Sequence, residues 1–486
     1  MSLLEASAWH GRIYSSGWVD GTGGVLPVDS PSTGERLAEV GAASAPDVAA
    51  AAARAVDAQR AWAATPYTER AAVLRRAGDL WHQHSEEIIG WLMRETGAIA
   101  PFGEFQIVTS AEECYEAAAL ASAPYGELLR SSLPRLSMSR RLPVGVVGVI
   151  SPFNVPTILG IRAVAPALAL GNAVLLKPDP RTSVTGGVLF AELFAAAGLP
   201  DGLLHVLPGG VETGEALVTE PAVRVVAFTG STRGGRAVAA LAAQHLKRVH
   251  LELGGNSALL VLDDVDPEVA SSVGAWGSFA HQGQVCMTTG RHLVQSGVAD
   301  AYVASLAERA AHLPVGDPAT GEVALGPVID AGQRDRIHGM VTASVEEGAR
   351  LAAGGTYEGL FYRPTVLDGV PLGSTAYAEE VFGPVAPVVR IDGVDDAIRL
   401  ASETPYGLSL GILTSNPMRG LEIAERIPSG LVHINDQTIN DEATVPFGGV
   451  KESGTGGRLG GAAANLDAFT DTQWVTMRGS LPEYPF

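Results

Sequence analysis

Cysteine is nearly absent from this chain, since only two occur in 486 residues. A framework of disulfides is therefore implausible, and a reducing cytosol is the simplest compartment. Basic residues are also scarce: 33 Lys and Arg stand against 53 Asp and Glu, which gives a net charge of −20. Nucleic acid and anionic membrane surfaces need basic patches, so we expect neither as a partner.

Long apolar runs are missing as well. A bilayer-spanning helix needs about 20 apolar residues, and the nearest approach, "AVAPALALGNAVLLK", is interrupted by Pro166, Gly171 and Asn172. The opening "MSLLEASAWHGRIYSS" has no basic stretch followed by an apolar one, so no signal peptide is expected. The histidines show no metal-ligand spacing, and we expect no metal site.

The residues that are present favour an α/β protein of two or three domains. Short apolar strands alternate five times with helical stretches, beginning with "VGVVGVI" (144–150) and "NAVLLKP" (172–178) and ending with "RVHLELGG". Continuous apolar strands are typical of a sheet buried on both faces. The pattern predicts a doubly wound, Rossmann-like parallel sheet that binds its ligand at the carboxyl ends of its strands.

A second α/β pattern runs from "SALLVLDDV" to "GLVHIN" and predicts a second α/β domain. Two short extended pieces, "LPRLSMSRRLP" and "TQWVTM", are expected to pair and to form a small β extension that adds an edge to a partner subunit. The predicted division is a dinucleotide-binding domain over 1–124 and 143–254, a catalytic domain over 255–455, and oligomerisation segments over 125–142 and 456–486.

One strand–turn–helix segment, "VRVVAFTGSTRGGRAVAA", has features of a nucleotide site. Gly230 permits a tight turn, Ser231 can cap the helix so that free N–H groups face a phosphate, and Gly235 permits close packing. Lys177, at the end of its strand, can reach ribose or phosphate oxygens. An ordinary strand–helix connection and a surface lysine are the alternatives, because the spacing is not the usual G-x-G-x-x-G.

Three residues suit nucleophilic chemistry. Cys286 lies among glycine and small polar residues in "HQGQVCMTTG", where a structural cysteine is unusual. Glu252 ends a strand before two glycines and is a candidate general base, and Asn154 follows the first strand and can donate to an oxyanion. A satisfied acid in a turn and an Asx-turn before Pro156 are the structural alternatives. Cys114, in a helical segment, is taken as structural.

Five motifs in order, "FTGSTRGG", "LELGGNS", "HQGQVCM", "EEVFGPVAPV" and "PFGGVKESGTG", resemble the aldehyde dehydrogenase superfamily along the whole chain. The resemblance implies that Cys286 is the nucleophile, Glu252 the base for water, and Asn154 the oxyanion donor with the Cys286 N–H. It also implies NAD as cofactor and a homodimer or homotetramer. The implied cofactor-binding residues are Ile150, Ser151, Pro152, Lys177, Gly209, Phe228, Thr229, Gly230, Ser231, Gly235, Leu253, Gln333, Glu380 and Phe382, with Arg336 as a further ribose contact.

The sequence departs from the family pattern in three places. Pro180 replaces a common ribose-binding glutamate, and Arg181 beside it can accommodate a 2′-phosphate, so NADP stays an alternative to NAD. His281 stands where asparagine is common, and we expect it to pack or to form a hydrogen bond rather than to act as a base for the thiol. Arg458 occupies a position where glutamate is usual, which puts details of subunit contact in doubt.

Other motifs, including "HINDQTINDEATVPFGG", are most similar to the benzaldehyde, vanillin and salicylaldehyde dehydrogenase branch. That similarity implies oxidation of a flat aromatic aldehyde to its acid through a cysteine thiohemiacetal and thioester. The candidate walls of the substrate slot are Val155, Ile158, Ile439 and Phe447, each of which can equally be ordinary core. The alternatives are an aliphatic or semialdehyde substrate, a cofactor-independent thiol esterase, a coenzyme A-acylating enzyme and an inactive binding protein.

Overall fold

A computed structural model describes residues 2–486, and its first half is built on a seven-stranded sheet. Five neighbouring strands are parallel, and two N-terminal strands extend one edge in antiparallel fashion. In spatial order the strands are Arg248–Glu252, Val223–Thr229, Val146–Ile150, Ala173–Lys177, Leu204–Val206, Arg12–Ser15 and Trp18–Asp20. The predicted parallel sheet is confirmed, whereas the two edge strands gave no clear signal in the sequence.

Helices pack against this sheet and against one another. The Ala-rich helix Ala45–Ala64 begins as its sequence predicts, because the Asp47 carboxylate accepts the Ser44 N–H at 2.8 Å and Pro46 lies in the first turn. The helices of this half are Ala6–Trp9, Ala45–Ala64, Tyr67–Gln83, Ser85–Thr96, Ala100–Leu120, Pro156–Ala169, the π-helical Val184–Val188, Leu189–Ala196, Val211–Thr219 and Thr232–Gln244.

A second seven-stranded sheet follows in the chain and confirms the second α/β unit. All its neighbouring strands are parallel except the first pair. In spatial order they are Arg350–Ala353, Thr365–Asp368, Val385–Ile391, Thr289–Gln295, Ser257–Val261, Ser409–Leu413 and Leu431–Ile434. The helices are Pro267–Phe279, Ser296–His312, Ala331–Glu346, Thr375–Ala378, Val394–Ser402, Pro417–Ala424 and Ala462–Phe469.

The two extended pieces pair as predicted. Strand Leu136–Pro143 runs antiparallel to Thr470–Met477, with Ser139 opposite Trp474, and Gly126–Leu128 adds a third strand. Shorter two-stranded sheets and 3₁₀ turns complete the fold: Val25–Asp29 with Arg36–Gly41, Tyr357–Glu358 with Phe361–Tyr362, and the turns Pro180–Thr182, Ala280–Gly283 and Lys451–Ser453. Among residues 2–486, no helix is both long enough and apolar enough to cross a bilayer.

The core of the first half depends on large buried side chains. Trp81 is fully buried and meets Phe190 edge-on, with ring centroids 5.9 Å apart. We expect Trp81→Ala to lower the free energy of unfolding by about 3–5 kcal/mol, because the cavity left behind cannot fully collapse. Trp276→Ala is the matched control, since that ring is 57% exposed and its loss should change stability by no more than about 0.5 kcal/mol. Denaturant unfolding measures both, and equal effects would contradict this view of the core.

Candidate active site

A cavity of about 1110 Å³ opens where the parallel strands of the first sheet end. The strand ends Ile150, Lys177, Thr229 and Glu252 border one side of it. Residues from the second half, including Cys286, border the other side. The cavity therefore lies at the carboxyl ends of a parallel sheet, which is the usual ligand position in this architecture.

The cavity collects the three predicted catalytic residues and all but one of the predicted cofactor residues. Cys286, Glu252 and Asn154 line it, although they come from three separate parts of the chain. Of the predicted cofactor residues, Gly235 alone does not line it. The others do: Ile150, Ser151, Pro152, Lys177, Gly209, Phe228, Thr229, Gly230, Ser231, Leu253, Gln333, Glu380 and Phe382, together with Arg336.

The turn after strand Val223–Thr229 is shaped by close packing. The Ser231 side chain caps the following helix by accepting the Gly234 N–H at 3.1 Å. A Cβ on Gly230 would lie 2.7 Å from the Phe228 ring, and one on Gly235 would lie 2.3 Å from Leu253. Gly230 is therefore needed for this close approach rather than for a left-handed conformation. Gly235 does not line the cavity, but it leaves room for the Leu253 side chain, which does.

Lys177 is buried with little to balance its charge. It is 7% exposed, and its ammonium donates to the Pro178 carbonyl at 3.3 Å. Burial lowers its pKa, while Asp179 opposes that effect. A buried ammonium with one long hydrogen bond favours a ligand that brings acceptor oxygens, so the surface-charge alternative for Lys177 is wrong.

Arg181 is already engaged by two carboxylates. Its guanidinium donates to Asp179 at 2.9 Å and to Asp330 at 2.6 Å, and it lies over the Phe153 ring at 4.2 Å from the centroid. The Asp179 carboxylate also accepts the Arg181 N–H at the start of the 3₁₀ turn. The cation is therefore paired before any ligand arrives.

The opposite wall is held by hydrogen bonds to the main chain around Glu380. The Glu380 carboxylate accepts the Gly255 N–H at 2.9 Å, and its burial raises its pKa to about 7. Gln333 donates to the Phe382 carbonyl at 2.8 Å, and Arg336 donates to the Glu380 carbonyl at 2.8 Å. Gln333 and Arg336 thus fix the segment that faces the nucleotide turn across the cavity.

Cys286 lies in a turn before strand Thr289–Gln295 rather than at a helix N-terminus. Burial raises the pKa of its half-buried thiol well above the ordinary value, and the nearby carboxylates of Glu380, Glu252 and Asp441 raise it further. The structure places carboxylates near the thiol, and their negative charge disfavours the thiolate.

Glu252 ends its strand with the carboxylate buried. Burial raises its pKa well above the ordinary value, Arg162 and Arg458 oppose that rise, and Asp441 adds to it. Its Oε2 has no hydrogen-bond partner among the described residues. A buried carboxylate with one unpaired oxygen can exchange a proton with a molecule in the cavity, so this is not the satisfied turn acid of the alternative reading.

Asn154 is tied to the loop that carries the cysteine. Its side-chain amide donates to the Gln284 carbonyl at 2.8 Å, which leaves its second N–H available. The main-chain carbonyl of Asn154 accepts a hydrogen bond at 2.7 Å from His281 Nε2. The histidine nitrogen must be the donor, because a carbonyl only accepts. The amide therefore bridges to the cysteine loop instead of forming a local Asx-turn.

His281 packs and forms a hydrogen bond, as expected. Its ring stacks on Phe102 with centroids 4.3 Å apart, and burial lowers its pKa to about 4. His281 and Gln282 both have left-handed backbone conformations, with φ of 50° and 56°, which is uncommon outside glycine. A neutral ring whose Nε2–H already donates to Asn154 stabilises this strained loop and is not available as a base for the thiol.

The four predicted substrate-wall residues differ in whether they reach the cavity. Phe447 lines the cavity, whereas Val155, Ile158 and Ile439 do not. Ile158 is 1% exposed and belongs to the core, while the next residue along the helix, Leu159, lines the cavity. Consecutive helical residues point about 100° apart, and a short apolar run gives no signal for choosing between them.

Sequence reasoning missed the buried charges behind Phe447. Arg162 lies 5.0 Å from the Phe447 ring centroid and pairs with Glu113 at 2.8 Å and Asp441 at 2.7 Å. The signal was an arginine within an otherwise apolar helix, which requires carboxylate partners when buried. Across residues 2–486, no group of three or more His, Cys, Asp and Glu is placed to hold a metal ion.

The raised pKa of Cys286 gives a direct test. Only the thiolate is alkylated, so in the free protein the rate of iodoacetamide labelling should keep rising through pH 9, where an ordinary thiol with a pKa near 8.5 levels off. A Cys114→Ser background, followed by mass spectrometry, assigns the label to Cys286. A rate that is already constant between pH 6 and 8 would show that the thiol rests as the thiolate.

The chain was then compared with known proteins. Residues 18–475 match the family model "Aldehyde dehydrogenase family". A vanillin dehydrogenase of Amycolatopsis sp. is 62% identical over all 486 residues and all of its own length. A benzaldehyde dehydrogenase [NAD(+)] of Pseudomonas putida is 48% identical over 99% of both chains.

The fold is also found among solved structures. The crystal structure of a salicylaldehyde dehydrogenase from Pseudomonas putida G7, complexed with salicylaldehyde, superposes with a TM-score of 0.94 at 36% identity, covering 98% of this chain and 99% of that one. The family model spans nearly the whole chain, and the relatives align over its full length. The chain belongs to the aldehyde dehydrogenase family.

Proposed function

We propose that this enzyme oxidises an aromatic aldehyde to the carboxylic acid with NAD as the hydride acceptor. The observation that carries the proposal is that Cys286, Asn154 and Glu252 line one cavity, which the turn after strand Val223–Thr229 also borders. The relatives named for vanillin and benzaldehyde, the latter with NAD(+), support the substrate class and the cofactor.

The residues around the turn fit a dinucleotide. The helix that begins at Thr232 directs free N–H groups toward the cavity, and such groups favour a phosphate. Lys177 supplies a buried ammonium with one long hydrogen bond, which would donate to ribose or phosphate oxygens. Glu380, Phe382 and Gln333 would hold the nicotinamide end. When bound, the cofactor accepts the hydride that leaves the carbon attached to Cys286.

The first chemical step forms a carbon–sulfur bond. Water in the cavity takes the proton of the Cys286 thiol, the resulting thiolate attacks the aldehyde carbon, and the carbonyl π electrons move to oxygen. The second N–H of Asn154 and the Cys286 main-chain N–H donate to that oxyanion; losing one such donor typically slows a reaction by about 100- to 1,000-fold. The hydride then leaves the thiohemiacetal carbon with its electron pair, and a thioester remains on Cys286.

The second step releases the acid. Glu252 removes a proton from water through its free Oε2, and the water oxygen attacks the thioester carbon. The carbon–sulfur bond breaks, the carboxylic acid departs, and the Cys286 sulfur is restored. Covalent catalysis divides the oxidation into two smaller barriers. A raised pKa suits a general base that must work near neutral pH.

Electrostatics support NAD over NADP. A 2′-phosphate needs a free cation, and Arg181 is already paired with Asp179 and Asp330. Recruiting it would break two ion pairs. The ribose hydroxyls of NAD make no such demand, so Arg181 can stay in place.

We further propose the division into a cofactor domain (1–124 and 143–254), a catalytic domain (255–455) and assembly segments (125–142 and 456–486). The three-stranded sheet leaves apolar side chains open, with Leu128 79% and Trp474 62% exposed. A homodimer or homotetramer would cover them.

The two cysteines are free, which supports a cytoplasmic location.

Two variants separate the chemical steps. Cys286→Ala should abolish turnover, because nothing else forms the carbon–sulfur bond. Glu252→Gln should release about one equivalent of reduced cofactor rapidly and then turn over at least 100-fold more slowly, because the thioester is hydrolysed without a base. Stopped-flow absorbance at 340 nm measures both. Normal steady-state turnover in Glu252→Gln would refute its role as the base.

Initial rates define the substrate and cofactor. We expect kcat/KM for benzaldehyde, vanillin or salicylaldehyde to exceed that for hexanal by at least about 10-fold, since an aromatic slot adds roughly 1.4 kcal/mol or more. NAD should be preferred to NADP in the same assay. A preference for hexanal would favour the aliphatic alternative, and ester hydrolysis in the absence of NAD as the sole activity would favour the thiol esterase.

A further inference from the structure

The turn at Gly448 brings two opposite charges together next to the cavity. A Cβ on Gly448 would lie 2.7 Å from Glu252 Oε1 and 2.9 Å from Arg458 Nη1. The carboxylate oxygen and the guanidinium nitrogen can therefore be no farther apart than these two distances combined. Gly448 also has a φ of +153°. The space that a side chain would fill is thus shared by Glu252 and Arg458.

Arg458 is held there by main-chain oxygens. Its Nη1 donates to the Gly449 carbonyl at 2.8 Å and to the Gly457 carbonyl at 3.3 Å. These bonds use both Nη1 hydrogens, and no ion pair within 4 Å joins the guanidinium to a carboxylate among the described residues. Arg458 therefore acts on Glu252 through its positive charge rather than through a shared proton, in a partly buried place where water screens it weakly.

Two other charged groups act on Glu252 in opposite directions: Arg162 lowers its pKa and Asp441 raises it. Arg162, on helix Pro156–Ala169, is paired with Glu113 and Asp441. Asp441 itself presents a negative charge to Glu252, and burial raises the pKa of the Cys286 thiol. Arg458 is consequently the cation near Glu252 whose charge no carboxylate has neutralised.

We propose that Arg458 is a positioning residue that keeps the Glu252 carboxylate ionised, holding Oε1 beside Gly448 while Oε2 stays free for water. The proposal rests on the role of Glu252 as the base for thioester hydrolysis. It gives a function to the departure seen in the sequence, where an arginine replaces the glutamate common in the family. A positive charge at this place favours the deprotonated base, whereas a negative one opposes it.

The test is the pH dependence of thioester hydrolysis. Benzoate release is followed by rapid quench in a single turnover of benzaldehyde with NAD, between pH 6 and 9.5. Glu252 must be deprotonated to act, so the rate rises with pH to a plateau. In Arg458→Gln we expect the midpoint to move up by about one pH unit or more, because an opposite charge at about 4–6 Å favours ionisation. At a pH below the midpoint the rate should fall about 10-fold, with recovery at high pH.

Arg458→Lys is the matched control, because it keeps the charge. It should retain a midpoint close to that of the unchanged enzyme even if it unfolds at a lower temperature, since a lysine cannot reach both carbonyls as the guanidinium does. Arg458→Glu should move the midpoint further than Arg458→Gln. The rate of the reduced-cofactor burst should stay within about threefold in all three variants, because Arg458 does not line the cavity.

An unchanged midpoint in Arg458→Gln would overturn the proposal, as would an equal shift in Arg458→Lys. A loss of hydrolysis that high pH does not restore would show a structural role only. If Arg458→Gln fails to fold, the lysine and glutamate pair decides the question, since their midpoints must differ. Glu252→Gln keeps the two hypotheses apart: if that variant turns over normally, the base assignment fails, whatever the Arg458 variants show.

Discussion

Two hydrogen bonds that run in opposite directions join the halves of this site. The Asn154 side chain donates to the Gln284 carbonyl, and the His281 ring donates to the Asn154 carbonyl. Together they tie the loop after strand Val146–Ile150 to the loop that carries Cys286. The strained backbone at His281 is tolerated because both bonds and the stacked Phe102 ring hold it. The distance between oxyanion donor and nucleophile depends on this link.

Burial shifts the pKa of four ionisable groups on the cavity. The same loss of water raises the pKa of Cys286, Glu252 and Glu380 and lowers that of Lys177. The groups differ in what opposes the effect. Asp179 opposes it at Lys177 and two arginines oppose it at Glu252, whereas the carboxylates near the thiol add to it. Donors and charges held away from bulk water can stabilise charge that develops during reaction.

Sequence reasoning reached the residues with a strong local signature. Cys286 and Glu252 both line the cavity, and strands Val146–Ile150 and Ala173–Lys177 were recognised because both their faces are buried. It failed where only the direction of a side chain matters. Ile158 and Leu159 are equally apolar neighbours on one helix, and only packing decides which of them faces the cavity.

By itself the sequence determined the architecture and the candidate reactive residues, because hydrophobic periodicity, turn chemistry and motif order are properties that can be read along the chain. The tertiary structure decided which charges meet. Arg181 forms an ion pair with Asp330, and Arg162 forms ion pairs with Glu113 and Asp441. Arg458 instead lies next to Glu252 at Gly448. Electrostatic energy depends on distance and on exclusion of water, and neither quantity exists until segments remote in the chain have packed together.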